Sequence, residues 1–205
     1  MHMVDIDILP QSFYLEGDVV HISKKLLGKL LVTDIDNRLT ISRIVETEAY
    51  DGRMDKACHA YPNRKTPRTE VMFKEGGRSY VYLCYGIHSL FNIVTHAQNE
   101  PNAVLIRAVE PIMGVETMVS RRNIKSPISL TNGPGKLASA LGITRDFNDM
   151  LLFDPSSPIY IAEERDKVGE PEIVQTKRIG VDYAEEDALL PWRFYIKDNP
   201  YVSRK

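Results

Sequence analysis

Strand-like runs crowd the first half of this chain and follow one another through short turns, and that order constrains the fold more than any other feature. Residues 29–35 and 39–50 read as two strands joined by an Asp36-Asn37 turn. Residues 79–83 and 90–96 read as the arms of a hairpin with Tyr85-Gly86 at its tip, and residues 103–109 as a further strand ended by Pro111. Val19, Ile22 and Leu26 fall at near-helical spacing, which predicts a helix over residues 18–27 that Gly28 can close. Two more helices are expected over residues 114–122 and 136–141, and short strands near Ile159 and Phe194. Residues 51–71, with Pro62 and Pro67, read as a long polar loop. Strand and helix do not alternate, so a doubly wound parallel sheet is disfavoured. The pattern predicts an α+β fold: a single mixed domain over residues 1–205, with a largely antiparallel sheet and flanking helices.

Length and hydrophobic content, 205 residues and 43%, are enough for one domain with a sizeable core. No run of about 18 apolar residues occurs, so no membrane span is expected. Met1 to Pro10 lack the basic flank and apolar core of a secretory signal. The two cysteines, Cys58 and Cys84, form no Cys-x-x-Cys pair, which argues against a zinc ribbon and for a reduced, intracellular chain. A net charge of -2 argues against a nucleic-acid partner. Its distribution argues the other way: residues 51–147 carry 13 Lys and Arg against 8 Asp and Glu, and residues 148–191 carry 4 against 11. An acidic back and a mildly basic middle are compatible with a phosphate-facing surface.

Three stretches carry chemistry. In Arg43-Ile44-Val45-Glu46-Thr47-Glu48-Ala49-Tyr50, strand alternation sets Val45, Thr47 and Ala49 on a core-like face, with Ile44, Glu46, Glu48 and Tyr50 on the other. Two carboxylates about 7 Å apart beside an aromatic ring are candidates for general acid/base work. On these residues alone, a solvated polar face is the simpler reading. His59, on the following loop, gains meaning only if the fold brings it near Tyr50. In Tyr80-Val81-Tyr82-Leu83-Cys84-Tyr85-Gly86-Ile87, Tyr80 and Tyr82 share a strand face, while Tyr85 and Ile87 sit on an exposed turn. Such a tip either folds back on its own protein or wedges between bases from the minor groove. In Asn132-Gly133-Pro134-Gly135-Lys136, backbone amides at a helix start, with Lys136, can hold a phosphate; a tight turn that starts a helix is the simpler reading. The glycine spacing is not that of a Walker loop.

Taken in order, these stretches resemble the alkyladenine (3-methyladenine) DNA glycosylase family. The resemblance also rests on Leu26-Leu27-Gly28-Lys29, Thr66-Pro67-Arg68, Met72-Phe73, Asn92, the run from Val104 to Pro111, and Arg193-Phe194-Tyr195, and it spans nearly the whole chain. It implies a mixed domain with an antiparallel sheet and a protruding hairpin. It implies Glu48 as the general base that activates a water, with Arg107 helping to place that water. Tyr50 would stack on one face of a flipped base, with His59 and Tyr82 against the other. Asn92 would sit where a guanine amino group clashes, Tyr85 with Ile87 would intercalate, and Gly133, Gly135 and Lys136 would hold DNA phosphate. Thr69 stands where some relatives carry Asn, and Ile87-His88 where others carry Met followed by an aromatic.

The implied partner is double-stranded DNA containing damaged purines, attacked by a monomer. A duplex hides the glycosidic bond, so the nucleotide must be extruded at a cost of a few kcal/mol. Stacking returns about 1–3 kcal/mol per aromatic platform. Electron-rich Tyr and His rings would favour a cationic alkylated purine. Nothing in the sequence calls for a cofactor, a metal or a Schiff-base lysine. Glu46 has no catalytic role in this reading and is expected to pair with a nearby Arg or Lys. A hydrolase of free nucleosides and a non-catalytic damaged-DNA-binding module are the alternatives.

Overall fold

The strand-like runs do pair with their sequence neighbours. The computed structural model describes residues 6–124, 126–164, 169 and 171–204, so the first five residues of the segment assessed for a signal lie outside the described residues. Strands β1 (Ile6–Ile8), β2 (Leu30–Ile35), β3 (Arg38–Asp51), β4 (Arg78–Cys84), β5 (His88–Thr95), β6 (Asn102–Met113), β7 (Ile159–Glu164), β8 (Ile173–Thr176) and β9 (Arg193–Ile196) form one sheet. Its order is β1-β7-β2-β3-β6-β5-β4, with β9 on β3 and β8 on β9, and each of these pairings is antiparallel. The α-helices are α1 (Val19–Lys25), α2 (Val115–Arg122) and α3 (Pro134–Leu141). The expected α+β class and antiparallel sheet are what the chain builds, and β1 and β8 are strands that the sequence pattern did not single out.

Local chemistry explains the element ends. Asp18 caps α1 by accepting from the His21 N–H at 2.7 Å, and Gly28 follows with φ 82°. Asp36 and Asn37 both take positive φ, the conformation a tight two-residue hairpin turn demands. The strand expected to end at Pro111 instead runs on to Met113. Proline survives there because β5 pairs with β6 only up to Leu105, and the β3 register shifts beside Pro111.

The two faces of the sheet bury different things. Ala49, Val81, Ile93 and Val104 face a large core with Ile22 of α1 and Leu26 at its C-terminal cap, Met118 of α2 and Leu137 and Leu141 of α3. Each fully buried Leu or Ile stabilises by about 1.5–3 kcal/mol. Their chain neighbours Tyr50, Tyr80, Val94 and Ala103 face a second, smaller core with Cys58, Ala60, Met72 and Phe73. The segment read as a polar loop, residues 51–71, is therefore also a lid: it buries Asp55, Ala57, Cys58 and Ala60 over this second face.

One expectation about β3 is overturned. Ile44 enters the helix-side core with Ala49, an odd number of residues away, rather than sharing the face of Glu46 and Glu48. A β-bulge is the reason. Ile44 pairs with Val109, Glu46 with Ala108 and Thr47 with Ile106, so Val45 and Arg107 are both skipped and the alternation changes phase.

Candidate active site

The bulge aims Arg107 at both carboxylates of β3. Glu46 and Glu48 have no solvent exposure, and Arg107 donates from Nε to Glu46 Oε1 at 3.1 Å and from Nη1 to Glu48 Oε2 at 3.3 Å. Burial works against the charge of Arg107, but Glu48 and Glu46 outweigh it and hold the guanidinium pKa above its ordinary value. Glu46 also accepts from Arg193 Nε at 2.7 Å and from the Ser203 backbone N–H at 2.7 Å. It thus anchors Arg107 and the C-terminal segment, which satisfies the expectation that it pairs with an arginine.

Glu48 is held by three donors. Its Oε2 also accepts from the Tyr50 hydroxyl at 2.7 Å, and its Oε1 accepts from the Ile179 N–H at 2.8 Å. Burial, then the Glu48 charge and its hydrogen bond, push the Tyr50 pKa well above its usual value, so the phenol stays a donor. An ionised carboxylate offers about four lone-pair sites, so one more donor, such as a water, can be accepted.

A cavity of about 450 Å³ opens in front of these groups, lined among others by Tyr50, His59, Arg68, Tyr82, Asn92, Arg107 and Ile179. Glu48 itself does not line it. The three groups that donate to Glu48 do, so the carboxylate lies directly behind the wall. The fold thus brings His59 to the same cavity as Tyr50. The His59 and Tyr82 rings meet edge to face at 4.6 Å. Arg68 Nη2 lies 3.2 Å from His59 Nε2, and His59 Nδ1 lies 3.0 Å from the Tyr80 hydroxyl. Arginine only donates, so Nε2 accepts and Nδ1–H donates to Tyr80. Burial, helped by the Arg68 charge, pulls the His59 pKa down to about 4, and the imidazole is neutral at neutral pH. The Asn92 amide N–H groups are committed to the Tyr80 and Leu90 carbonyls at 3.0 and 3.4 Å, which fixes the side chain and leaves Oδ1 uncommitted.

The hairpin tip stands clear of the body. Tyr85 is 92% exposed and Ile87 73%. Tyr85 (φ 51°) and Gly86 (φ 74°) both adopt the left-handed conformation, closed by an Ile87 N–H to Cys84 carbonyl bond of 3.2 Å. A bulky residue at positive φ is disfavoured, so the turn holds Tyr85 outward against a local cost. Gly133, Gly135 and Lys136 form the start of α3 in a second concavity with His88, Arg121 and Arg122; it shares Pro134 with the main cavity. Lys136 Nζ bonds Asn132 Oδ1 at 2.9 Å.

Sequence reasoning missed the wall made by residues 178–183, part of the segment read as an acidic back. Ile179, Gly180, Val181 and Tyr183 line the cavity. Arg178 sits behind them with its side chain fully buried. Its Nη2 donates to Asp55 Oδ1 at 2.8 Å and its Nη1 to Asp55 Oδ2 and, at 2.9 Å, to the Ala49 carbonyl; its guanidinium lies 4.8 Å from the Tyr50 ring centroid. No local pattern marks Arg178, which lies 123 residues from Asp55. Arg68 appeared only as part of a motif, without a role. Among the described residues, no group of three or more His, Cys, Asp or Glu is arranged to hold a metal, and no helix is long and apolar enough to cross a membrane.

The cavity is thus lined in part by aromatic rings, with a buried, multiply bonded carboxylate behind its wall and an exposed aromatic residue at the hairpin tip. The sequence pattern of the methylpurine-DNA glycosylase (MPG) family matches residues 12–200. Curated relatives named "Putative 3-methyladenine DNA glycosylase" include one from Natranaerobius thermophilus, 50% identical over 192 residues and covering 93% of this chain and 96% of the relative. One from Bdellovibrio bacteriovorus is 46% identical over 198 residues, covering 97% of this chain and 100% of the relative. The chain belongs to the methylpurine-DNA glycosylase family. Its activity class is therefore that of a hydrolase in the repair of alkylated purines in DNA.

Proposed function

We propose that the protein flips an alkylated or deaminated purine out of duplex DNA and hydrolyses its N-glycosidic bond with a water activated by Glu48, leaving an abasic site in an intact strand. The observation that carries this reading is the Glu48 carboxylate, held by Tyr50, Arg107 and Ile179 directly behind the cavity wall. Such a carboxylate keeps its orientation and retains capacity for one water. Extrusion costs a few kcal/mol, and stacking of the base between Tyr50 and the His59–Tyr82 pair offsets it. Tyr85, with Ile87, fills the gap in the stack. Asn92, locked by two backbone carbonyls, cannot swing away from a guanine amino group. Gly133, Gly135 and Lys136 bind phosphate beside the cavity. One chain carries the whole set, so a monomer suffices, and the reaction needs no cofactor. The substrates are 3-methyladenine, 7-methylguanine, hypoxanthine and ethenoadenine. A nucleoside hydrolase has no use for an aromatic residue as exposed as Tyr85.

Glu48→Gln tests this. The variant is expected to bind a hypoxanthine-containing duplex and release base at least about 100-fold more slowly, the contribution of a positioned general base. Single-turnover rates at the parent level would reject the assignment.

A further inference from the structure

Two of the aromatic rings that line the cavity already carry a guanidinium. Arg178 lies 4.8 Å from the Tyr50 ring centroid and Arg68 lies 4.9 Å from that of Tyr82. The two differ in charge balance. Arg178 is neutralised by Asp55, fully buried, and does not line the cavity. Arg68 lines the cavity, is solvent-exposed, and among the described residues has no carboxylate partner. Its neighbours are His59, which is neutral, and the Tyr80 and Tyr82 rings. A guanidinium has five N–H donors, and contacts to His59 and to the Tyr80 hydroxyl leave others for a guest.

This charge bears on what the pocket can select. Electron-rich rings alone would favour a cationic purine, the expectation drawn from the sequence. With Arg68 on the Tyr82 face, that quadrupole is already engaged, and an incoming cation meets a fixed positive charge with no compensating anion beside it. A neutral purine with an exocyclic acceptor gains a donor instead. Entry of DNA removes water from the mouth and strengthens both effects.

We infer that Arg68 is a specificity-determining residue which biases the cavity toward neutral, acceptor-bearing purines such as hypoxanthine and against cationic ones such as 7-methylguanine. The inference rests on the glycosylase reading above.

The test compares single-turnover release of hypoxanthine and of 7-methylguanine, each from a duplex with one lesion, by the parent, Arg68→Gln and Arg68→Lys. Dividing the 7-methylguanine rate by the hypoxanthine rate, and comparing that ratio between proteins, cancels the difference in leaving groups. Gln keeps a planar group but removes the charge; Lys keeps the charge and loses the planar stack. Arg68→Gln is expected to raise the ratio about three- to tenfold, the scale of one cation–π contact, while Arg68→Lys stays within about twofold of the parent. An unchanged ratio in Arg68→Gln overturns the inference. So does an equal loss on both lesions with a shallower salt dependence, which makes Arg68 a phosphate contact. Equal losses in both variants with a lowered melting temperature make it structural and also overturn the inference. If the parent releases neither base, the glycosylase reading itself fails, an outcome distinct from an unchanged ratio.

Discussion

Removing the Arg178 guanidinium should loosen the active site and the fold together. The Asp55–Arg178 pair has no side-chain exposure on either partner. Arg178→Met keeps much of the volume but leaves the Asp55 carboxylate in the interior, with the Ala57 N–H at 3.0 Å as a remaining donor. Breaking a buried pair by removing one partner costs about 3–5 kcal/mol. For a domain of this size that lowers the melting temperature by about 6–20 °C. By comparison, the exposed Lys56 bridges to Glu185 and Glu186, which join the same two segments, contribute little. The consequence for chemistry runs through the next residue. Arg178 ties its segment to the Ala49 carbonyl, between Glu48 and Tyr50, while Ile179 N–H holds Glu48 Oε1 at 2.8 Å. Loss of one hydrogen bond to a charged group is worth about 1.5–3 kcal/mol, or about 10- to 100-fold in rate. Urea unfolding gives the stability, and single-turnover excision of hypoxanthine well below the melting temperature gives the rate per folded molecule. Asp55→Ala combined with Arg178→Met should lose at least about 2 kcal/mol less than the sum of the single changes. An additive cycle would refute the buried-pair argument. A destabilised Arg178→Met protein that still excises at the parent rate would refute the link to Glu48.

Tyr85→Ala should lower excision from a well-paired lesion more than from a mispaired one, and leave single-stranded substrate nearly unaffected, since the plug matters only where a stack must be opened; equal slowing of all three, with a fluorescent base still reporting extrusion, would remove the wedge role. Asn92→Ser should raise release of guanine-derived bases relative to adenine-derived ones, because a shortened side chain admits the amino group; an unchanged ratio would take Asn92 out of base selection. His59, with its folded pKa pulled down to about 4 from an ordinary 6.5, binds fewer protons in the folded than in the unfolded state between those values. Stability should therefore fall as pH drops through that window, by at most about 3 kcal/mol, and His59→Gln should flatten the curve. Parallel curves for the two proteins would contradict the assigned burial cost.

What the sequence determined by itself was set by short-range rules. Strand alternation put Tyr50, Tyr80 and Tyr82 on one side and Ala49 and Val81 on the other, because successive side chains on a pleated strand must point apart. Asp36-Asn37 and Gly86 marked their turns because few residues tolerate positive φ. The ordered motifs were enough for the family. Tertiary structure alone decided three things. It inserted the bulge that moves Ile44 into the core and turns Arg107 onto Glu46 and Glu48, which depends on two strands more than 50 residues apart meeting out of step. It folded residues 51–71 over the second face and brought Arg178 and Ile179 to Asp55 and Glu48 across separations of 123 and 131 residues. And it set Arg68 on the Tyr82 ring, a charge that the aromatic motif by itself does not announce. No local propensity governs these contacts. A buried charge must find a partner wherever chain closure can supply one, and which partner arrives is known only when the whole chain has packed.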